Sequence, residues 1–236
     1  MEWYDEPSKI DKKSKSGRYQ ITIDIETLPG DTRPSNEDLM KEIPKNISKP
    51  ETIQKWLEEN RELSYRKQSL NSMQGQILCI GIKINDNPIY CPILGDHNIN
   101  NELDLLNNIS EYILELNCSQ KDIFWIGHNI YRFDLTWIWR KCIRYNLYEL
   151  ASLIPRNSKS KQIYDIMDMW ASEYKDYISL DKIAKFLGYD GKSESIDGSM
   201  VYDYYMEGKI EDIRNYCISD VDLEYKIYHQ ISKGME

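Results

Sequence analysis

The chain predicts an α/β fold: a central mixed β-sheet flanked by helices on both faces. Three observations carry this. A strand of alternating pattern stands near the start, two further apolar runs follow at residues 76–84 and 88–93, and from there strand patterns alternate with helical ones. With 236 residues, 41% of them hydrophobic and 11% aromatic, the chain suits one large domain or two small ones, with a sizeable core.

The first strand lies in residues 19–29, YQITIDIETLP. Ile21, Ile23 and Ile25 fall on one side of an extended chain, and Thr22, Asp24 and Glu26 on the other. The β-branched run favours a strand, and Pro29-Gly30 ends it. Asp24 and Glu26 therefore project side by side from one face. Burying such a pair costs several kcal/mol per ion unless a cation sits between them. Either both point into water, or they hold a metal.

Residues 1–18 read as a polar, lysine-rich arm ahead of a single domain over 19–236. An insertion follows the first strand over residues 30–75, interrupted by Pro34, Pro44 and Pro50. Ser35 and Asp38 suit the cap of a short helix, and residues 52–65 carry a helical pattern through Ile53, Trp56, Leu57 and Leu63. Lys45, Lys49, Lys55, Arg61, Arg66 and Lys67, with Trp56 and Tyr65, form either a solvated helix face or a surface that touches a nucleic-acid strand.

Residues 76–84 and 88–93 read as a strand pair joined by Asn85-Asp86-Asn87. Helical spacing marks residues 102–116 and 133–145, with a short buried strand at 122–127 between them. Residues 162–169 read as an edge strand. Ser179 is placed to cap a helix that Gly188 closes, and helices follow at 200–206 and 209–231.

A net charge of −9 and a pI near 5.0 exclude a protein that coats nucleic acid through bulk charge. An enzyme that grips a few nucleotides at a cation-filled cleft stays open, because bound divalent ions reverse the local sign. The five cysteines are odd in number and scattered, without a Cys-x-x-Cys pair, so the spacing indicates neither a zinc site nor a disulfide framework. A reducing, cytoplasmic setting is expected. Mean hydropathy is −0.64, the apolar runs are far short of a membrane span, and the first residues lack a signal-peptide core, so no membrane association is expected.

Two later segments bear on the Asp24–Glu26 pair. The strand at 122–127 runs into GHNIYRFD, which sets Asn129 and Asp134 where α/β folds place ligands, at a strand's carboxyl end and the next helix start. An acid opening a helix is also favoured by the helix dipole whether or not it binds anything. In the last helix, Tyr216 and Asp220 are four apart and share a face.

In this order the three segments resemble the three motifs of the DEDD (DnaQ-like) 3′–5′ exonucleases, in the subgroup whose third motif carries tyrosine. They are most similar to stand-alone relatives of the proofreading domain of family-B DNA polymerases. DIET supplies Asp24 and Glu26, HNIYRFD supplies Asn129 and Asp134, and YCISDV supplies Tyr216 and Asp220. The resemblance implies an RNase H-like fold and a metal-dependent 3′–5′ exonuclease acting on a single-stranded 3′ end, DNA ahead of RNA. It implies two divalent cations, Mg²⁺ or Mn²⁺, held by Asp24, Glu26, Asp134 and Asp220, with Tyr216 orienting the attacking water. Asn129, Phe133, Thr27 and Leu28 would contact the terminal nucleotide.

Two further readings stand beside it: an oligoribonuclease-like RNA trimmer, and a non-catalytic module that holds a 3′ end for a replication or repair complex. With no polymerase domain in the chain, proofreading would need a partner protein or a free 3′ end. Ser179-Leu-Asp-Lys182 is set aside as a helix cap, and Gly191-Lys192-Ser193 lacks the first glycine of a phosphate loop, though Lys192 stays a candidate contact to a DNA phosphate.

Overall fold

The computed structural model describes residues 17–173, 176–191 and 196–234. Residues 1–16 of the expected arm, and Lys192, lie outside the described residues.

Strands β1 (Tyr19–Leu28), β2 (Gln76–Ile84), β3 (Ile123–Gly127) and β4 (Ile163–Asp165) form one sheet in the order β2-β1-β3-β4. The first pair is antiparallel, and β1–β3 and β3–β4 are parallel, so the sheet is mixed. Parallel neighbours need long crossovers. Helix α3 (Glu102–Leu114) lies in the crossover to β3, and α4 (Asp134–Arg144) and α5 (Tyr148–Leu153) lie in the one to β4.

The insertion folds into α1 (Asn36–Glu42), α2 (Pro50–Lys67) and a one-turn 3₁₀ segment at Gln68–Leu70. Ser35 and Asp38 form the expected reciprocal cap on α1. The remaining helices are α6 (Ile166–Trp170), α7 (Leu180–Phe186), α8 (Val201–Met206) and α9 (Ile210–Lys233).

Residues opposite one another on neighbouring strands share a face. Asp24 pairs with Gly81 and Glu26 with Cys79, which sets both acids on the face that α9 covers. Ile21, Ile23 and Ile25 line the other face, against which α3, α4 and α5 are assembled. Burying an aliphatic side chain such as Val221 or Ile227 of α9 is worth about 1.5–3 kcal/mol each.

Gly81 sets how closely α9 approaches. A Cβ there would lie 2.8 Å from both Cys217 Sγ and Val221 Cγ2, so only hydrogen fits between β2 and the helix. Three residues before Gly81, β2 carries one extra residue, Leu78, opposite the Glu26–Thr27 step of β1.

A buried polar network anchors the end of the insertion. The Lys141 ammonium donates to the Gly75 carbonyl at 2.5 Å and stands 3.0 Å from Glu102 Oε1. Glu102 accepts from the Ile77 amide at 2.7 Å and the Tyr145 hydroxyl at 2.8 Å.

Three expectations need correction. Residues 88–93 run along β2 without forming a strand: they meet it at the isolated bridges Ile82–Tyr90 and Cys79–Ile93 and through the Ile80 amide, which donates to the Pro92 carbonyl at 3.2 Å, while Pro88 and Pro92 lack the amide donors of a continuous ladder. The strand expected over 162–169 stops at Asp165, whose side chain accepts from the Met167 amide and starts α6 instead. Ser179 stands at the start of α7 without a side-chain capping hydrogen bond. Helix α5 has no sequence counterpart above.

A Gly81→Ala variant is expected to push α9 from the sheet and lower stability by about 1–3 kcal/mol. Urea unfolding checks this; an unchanged midpoint would contradict the close approach.

Candidate active site

The site begins where β1 and β3 part. Their pairing ends at Thr22–Ile126, and β1 continues without β3 as its neighbour. Beyond that point the Ile25 amide donates to Asp134 Oδ1 at 3.1 Å, so the first residue of α4 supplies the acceptor that β3 no longer offers. An acid at a helix start is also favoured by the dipole, by about 0.3–1 kcal/mol. Asp134, only 2% exposed, is thereby fixed to the backbone between Asp24 and Glu26.

Helix α9 brings the next acid. Cys217 lies against the Asp24 carbonyl, its Sγ 3.6 Å away, and Asp220 follows three residues later. Ligand oxygens of Asp24, Glu26 and Asp220 all lie within 4.8 Å of one another. Glu26 and Asp220 are buried. Tyr216, one turn before Asp220, is buried in the same helix–sheet contact.

Burial pushes the Asp24 carboxyl well above its ordinary range, with further upward pressure from Cys217, Asp134, Glu26 and Glu224. Asp24 Oδ2 is buried and receives no hydrogen bond among the described residues. A buried carboxylate oxygen without a donor, amid other acids, suits a cation. The donors are hard oxygens, the set that Mg²⁺ and Mn²⁺ prefer. The residues present therefore fit a divalent ion.

The loop after β3 forms one wall. Asn129 is held at φ 59°, a left-handed conformation that asparagine tolerates better than most residues, and its amide donates to Asp165 Oδ1 at 2.8 Å. Phe133 is half-buried, its ring 5.7 Å from that of Trp137. Thr27 and Leu28 lie deeper: the Thr27 hydroxyl donates to the Ser69 carbonyl at 2.6 Å, and Leu28 is 2% exposed within the core. A cavity of about 460 Å³ at the root of the insertion, between Arg33, Gln68, Glu102 and Lys141, is not lined by Asp24, Glu26, Asp134 or Asp220.

Two supporting acids escape the sequence reading. Glu224, 1% exposed and one turn beyond Asp220, accepts from the His128 amide at 2.8 Å and so ties the loop to α9. Asp165 holds the same loop through Asn129, and burial raises its carboxyl. Glu224 continues the Tyr216, Asp220 spacing of four, the one signal that marked it. Of Lys45, Lys49, Lys55, Arg61, Arg66 and Lys67 in the insertion, three are engaged elsewhere. Arg66 pairs with Asp203 at 2.6 Å and with Glu62 at 3.2 Å, Arg61 donates to Asn36, and Lys55 stands 3.7 Å from Glu59.

Residues 125–234 match the model of a family described as "Predicted 3'-5' exonuclease related to the exonuclease domain of PolB". The matched span holds Asn129, Asp134, Tyr216 and Asp220, while Asp24 and Glu26 lie before it. No curated protein matches the chain. Among solved structures, the family B DNA polymerase from the hyperthermophilic archaeon Pyrobaculum calidifontis is similar over 91% of this chain, with a TM-score of 0.56 and 13% identity. The chain spans 24% of that polymerase's length. The likeness is one of fold: a mixed sheet flanked by helices, as the sequence pattern predicted, and RNase H-like, as the resemblance implied. No helix of the described residues is long and apolar enough to cross a membrane.

Because Asp24 stands half-buried among like charges, Asp24→Asn is expected to raise the melting temperature in EDTA, by about 2–4 °C for each kcal/mol of repulsion relieved. Mn²⁺ is expected to raise the melting temperature of the native protein, and the variant is expected to lose that rise. Calorimetry with and without Mn²⁺ checks both; a lower melting temperature in EDTA would contradict the crowding of charge.

Proposed function

We propose that the protein is a divalent-metal-dependent 3′–5′ exonuclease of the tyrosine-bearing DEDD subgroup. The observation that supports this most directly is the meeting of Asp24, Glu26 and Asp220 from strand and helix positions far apart in sequence. The match of residues 125–234 to an exonuclease family supports it independently.

In this reading Asp24, Glu26, Asp134 and Asp220 hold two divalent cations, Mg²⁺ or Mn²⁺. Bound there, the ions supply a nucleophilic water at neutral pH and neutralise charge on the leaving 3′ oxygen. Asp134 keeps its place through the Ile25 amide, and Glu224 and Asp165 keep the loop at 128–129 closed on the acids. Tyr216 orients the attacking water by hydrogen bonding; a phenol of ordinary pKa about 10 is a poor base at neutral pH. Asn129 and Phe133 meet the terminal nucleotide, and Thr27 and Leu28 shape the floor beneath it.

The substrate is a single-stranded 3′ end, with DNA favoured over RNA because the similar solved structure is a DNA polymerase. Residues 19–236 act as one catalytic unit, with residues 1–18 as an arm and 30–75 as the insertion, in the cytoplasm and alongside a replication or repair protein.

Native protein with Mn²⁺ and 5′-labelled single strands is expected to give a ladder of shortened products, on DNA more than on RNA of the same sequence. Asp24→Ala and Asp220→Ala abolish the ladder while keeping the native circular dichroism spectrum; wild-type rates in either would contradict the reading. Tyr216→Phe slows cleavage by about 10- to 100-fold with Mn²⁺ binding retained. An unchanged rate would remove the proposed water contact.

A further inference from the structure

The fold also does something that the cysteine spacing does not indicate. Cys79, Cys91 and Cys217 come from β2, from the connection after it, and from α9, and their Sγ atoms lie within 4.8 Å of one another. All three are buried and none is in a disulfide. We propose that these three thiols form a binding site for one zinc-class ion, beneath the carboxylate cluster and distinct from it.

Ligand type separates the two sites. Thiolates select soft or borderline ions such as Zn²⁺, whereas the carboxylates suit Mg²⁺ or Mn²⁺. With Zn–S near 2.3 Å, sulfurs sharing a tetrahedral ion stand about 3.8 Å apart, so the thiols need close by no more than about 1 Å. The fourth donor is the Asp24 carbonyl oxygen. It lies 3.6 Å from Cys217 Sγ. A sulfur and an oxygen on one tetrahedral zinc stand about 3.6 Å apart.

The surroundings supply rigidity. Three thiolates around a divalent ion leave one net negative charge. Arg214, one turn before Cys217, donates to the Cys91 carbonyl at 2.7 Å and to Asp96 at 2.9 Å. Its guanidinium is paired with Asp96 and, at 3.2 Å, with Glu211, so what it gives the cluster is rigidity: it fastens the Cys91 segment to α9. An ion here would join β2, the connection and α9 at the level of Glu26, which pairs with Cys79, and so fix where Asp220 stands against Asp24.

Cobalt(II) replaces zinc and reports its ligands. Titrating the reduced, metal-free full chain with Co²⁺, without nucleic acid, is expected to give thiolate-to-metal charge transfer in the near ultraviolet and intense tetrahedral visible bands. Both saturate at one equivalent and vanish on adding Zn²⁺. Carboxylates give no such charge transfer. Asp24→Ala keeps its carbonyl and therefore the bands, which distinguishes this site from the proposed nuclease centre. Cys91→Ser weakens the charge-transfer band, which scales with the number of thiolates bound, and Cys142→Ser, a buried cysteine elsewhere, leaves it at full strength.

Should Cys91→Ser fail to fold, one equivalent of Zn²⁺ on the native protein must protect Cys79, Cys91 and Cys217, and not Cys118 or Cys142, from alkylation mapped by mass spectrometry. Absent charge transfer in the native protein, bands undiminished in a folded Cys91→Ser, or unprotected thiols would each overturn the proposal.

Discussion

Like-charge repulsion is the constraint on which the rest of the structure turns. Carboxylates whose oxygens lie within 4.8 Å, in a buried setting, resist being brought together. Something must hold them there, and that is the packing of α9 on the sheet. Gly81 admits the helix, Val221 and Ile227 bury apolar surface against it, and the Ile25 amide and His128 amide fix Asp134 and Glu224. Hydrophobic burial elsewhere thus maintains an arrangement that is unfavourable in itself. Local strain of this kind is common where a fold keeps a site ready for a ligand.

The way β1 leaves β3 explains why the site stands where it does. A sheet that stayed paired would satisfy the Ile25 amide with a neighbouring strand and leave no place for the start of α4. Parting after Thr22 exposes that amide, and Asp134 takes it. One hydrogen bond therefore both completes the backbone of β1 and delivers an acid from a distant segment. The loop at 128–133 is held in turn by Glu224 and Asp165.

Much of this was legible in the sequence, because it depends on short-range pattern. Alternation from Ile21 to Glu26 indicated both the strand and the face of its acids, and helical spacing in the last segment set Tyr216 and Asp220 together. What escaped depends on longer range or on smaller differences. Pro88 and Pro92 leave a segment that lies along β2 without a full ladder. Asp165 ends a strand by capping a helix, and its neighbours Ile163 and Ile166 suit either state. Helix α5, at six residues, is too short for a periodic signal. The cluster of Cys79, Cys91 and Cys217 joins positions across 138 residues of chain, counted from 79 to 217, and no spacing rule reaches that far.

The central claim is that acids from β1, α4 and α9 share bound cations. Anomalous diffraction from a crystal soaked in Mn²⁺ tests it most directly. The account predicts two manganese peaks about 3.5–4 Å apart, enclosed by Asp24, Glu26, Asp134 and Asp220. A map with no peak among these side chains, or with Asp220 turned away from Asp24, would contradict it.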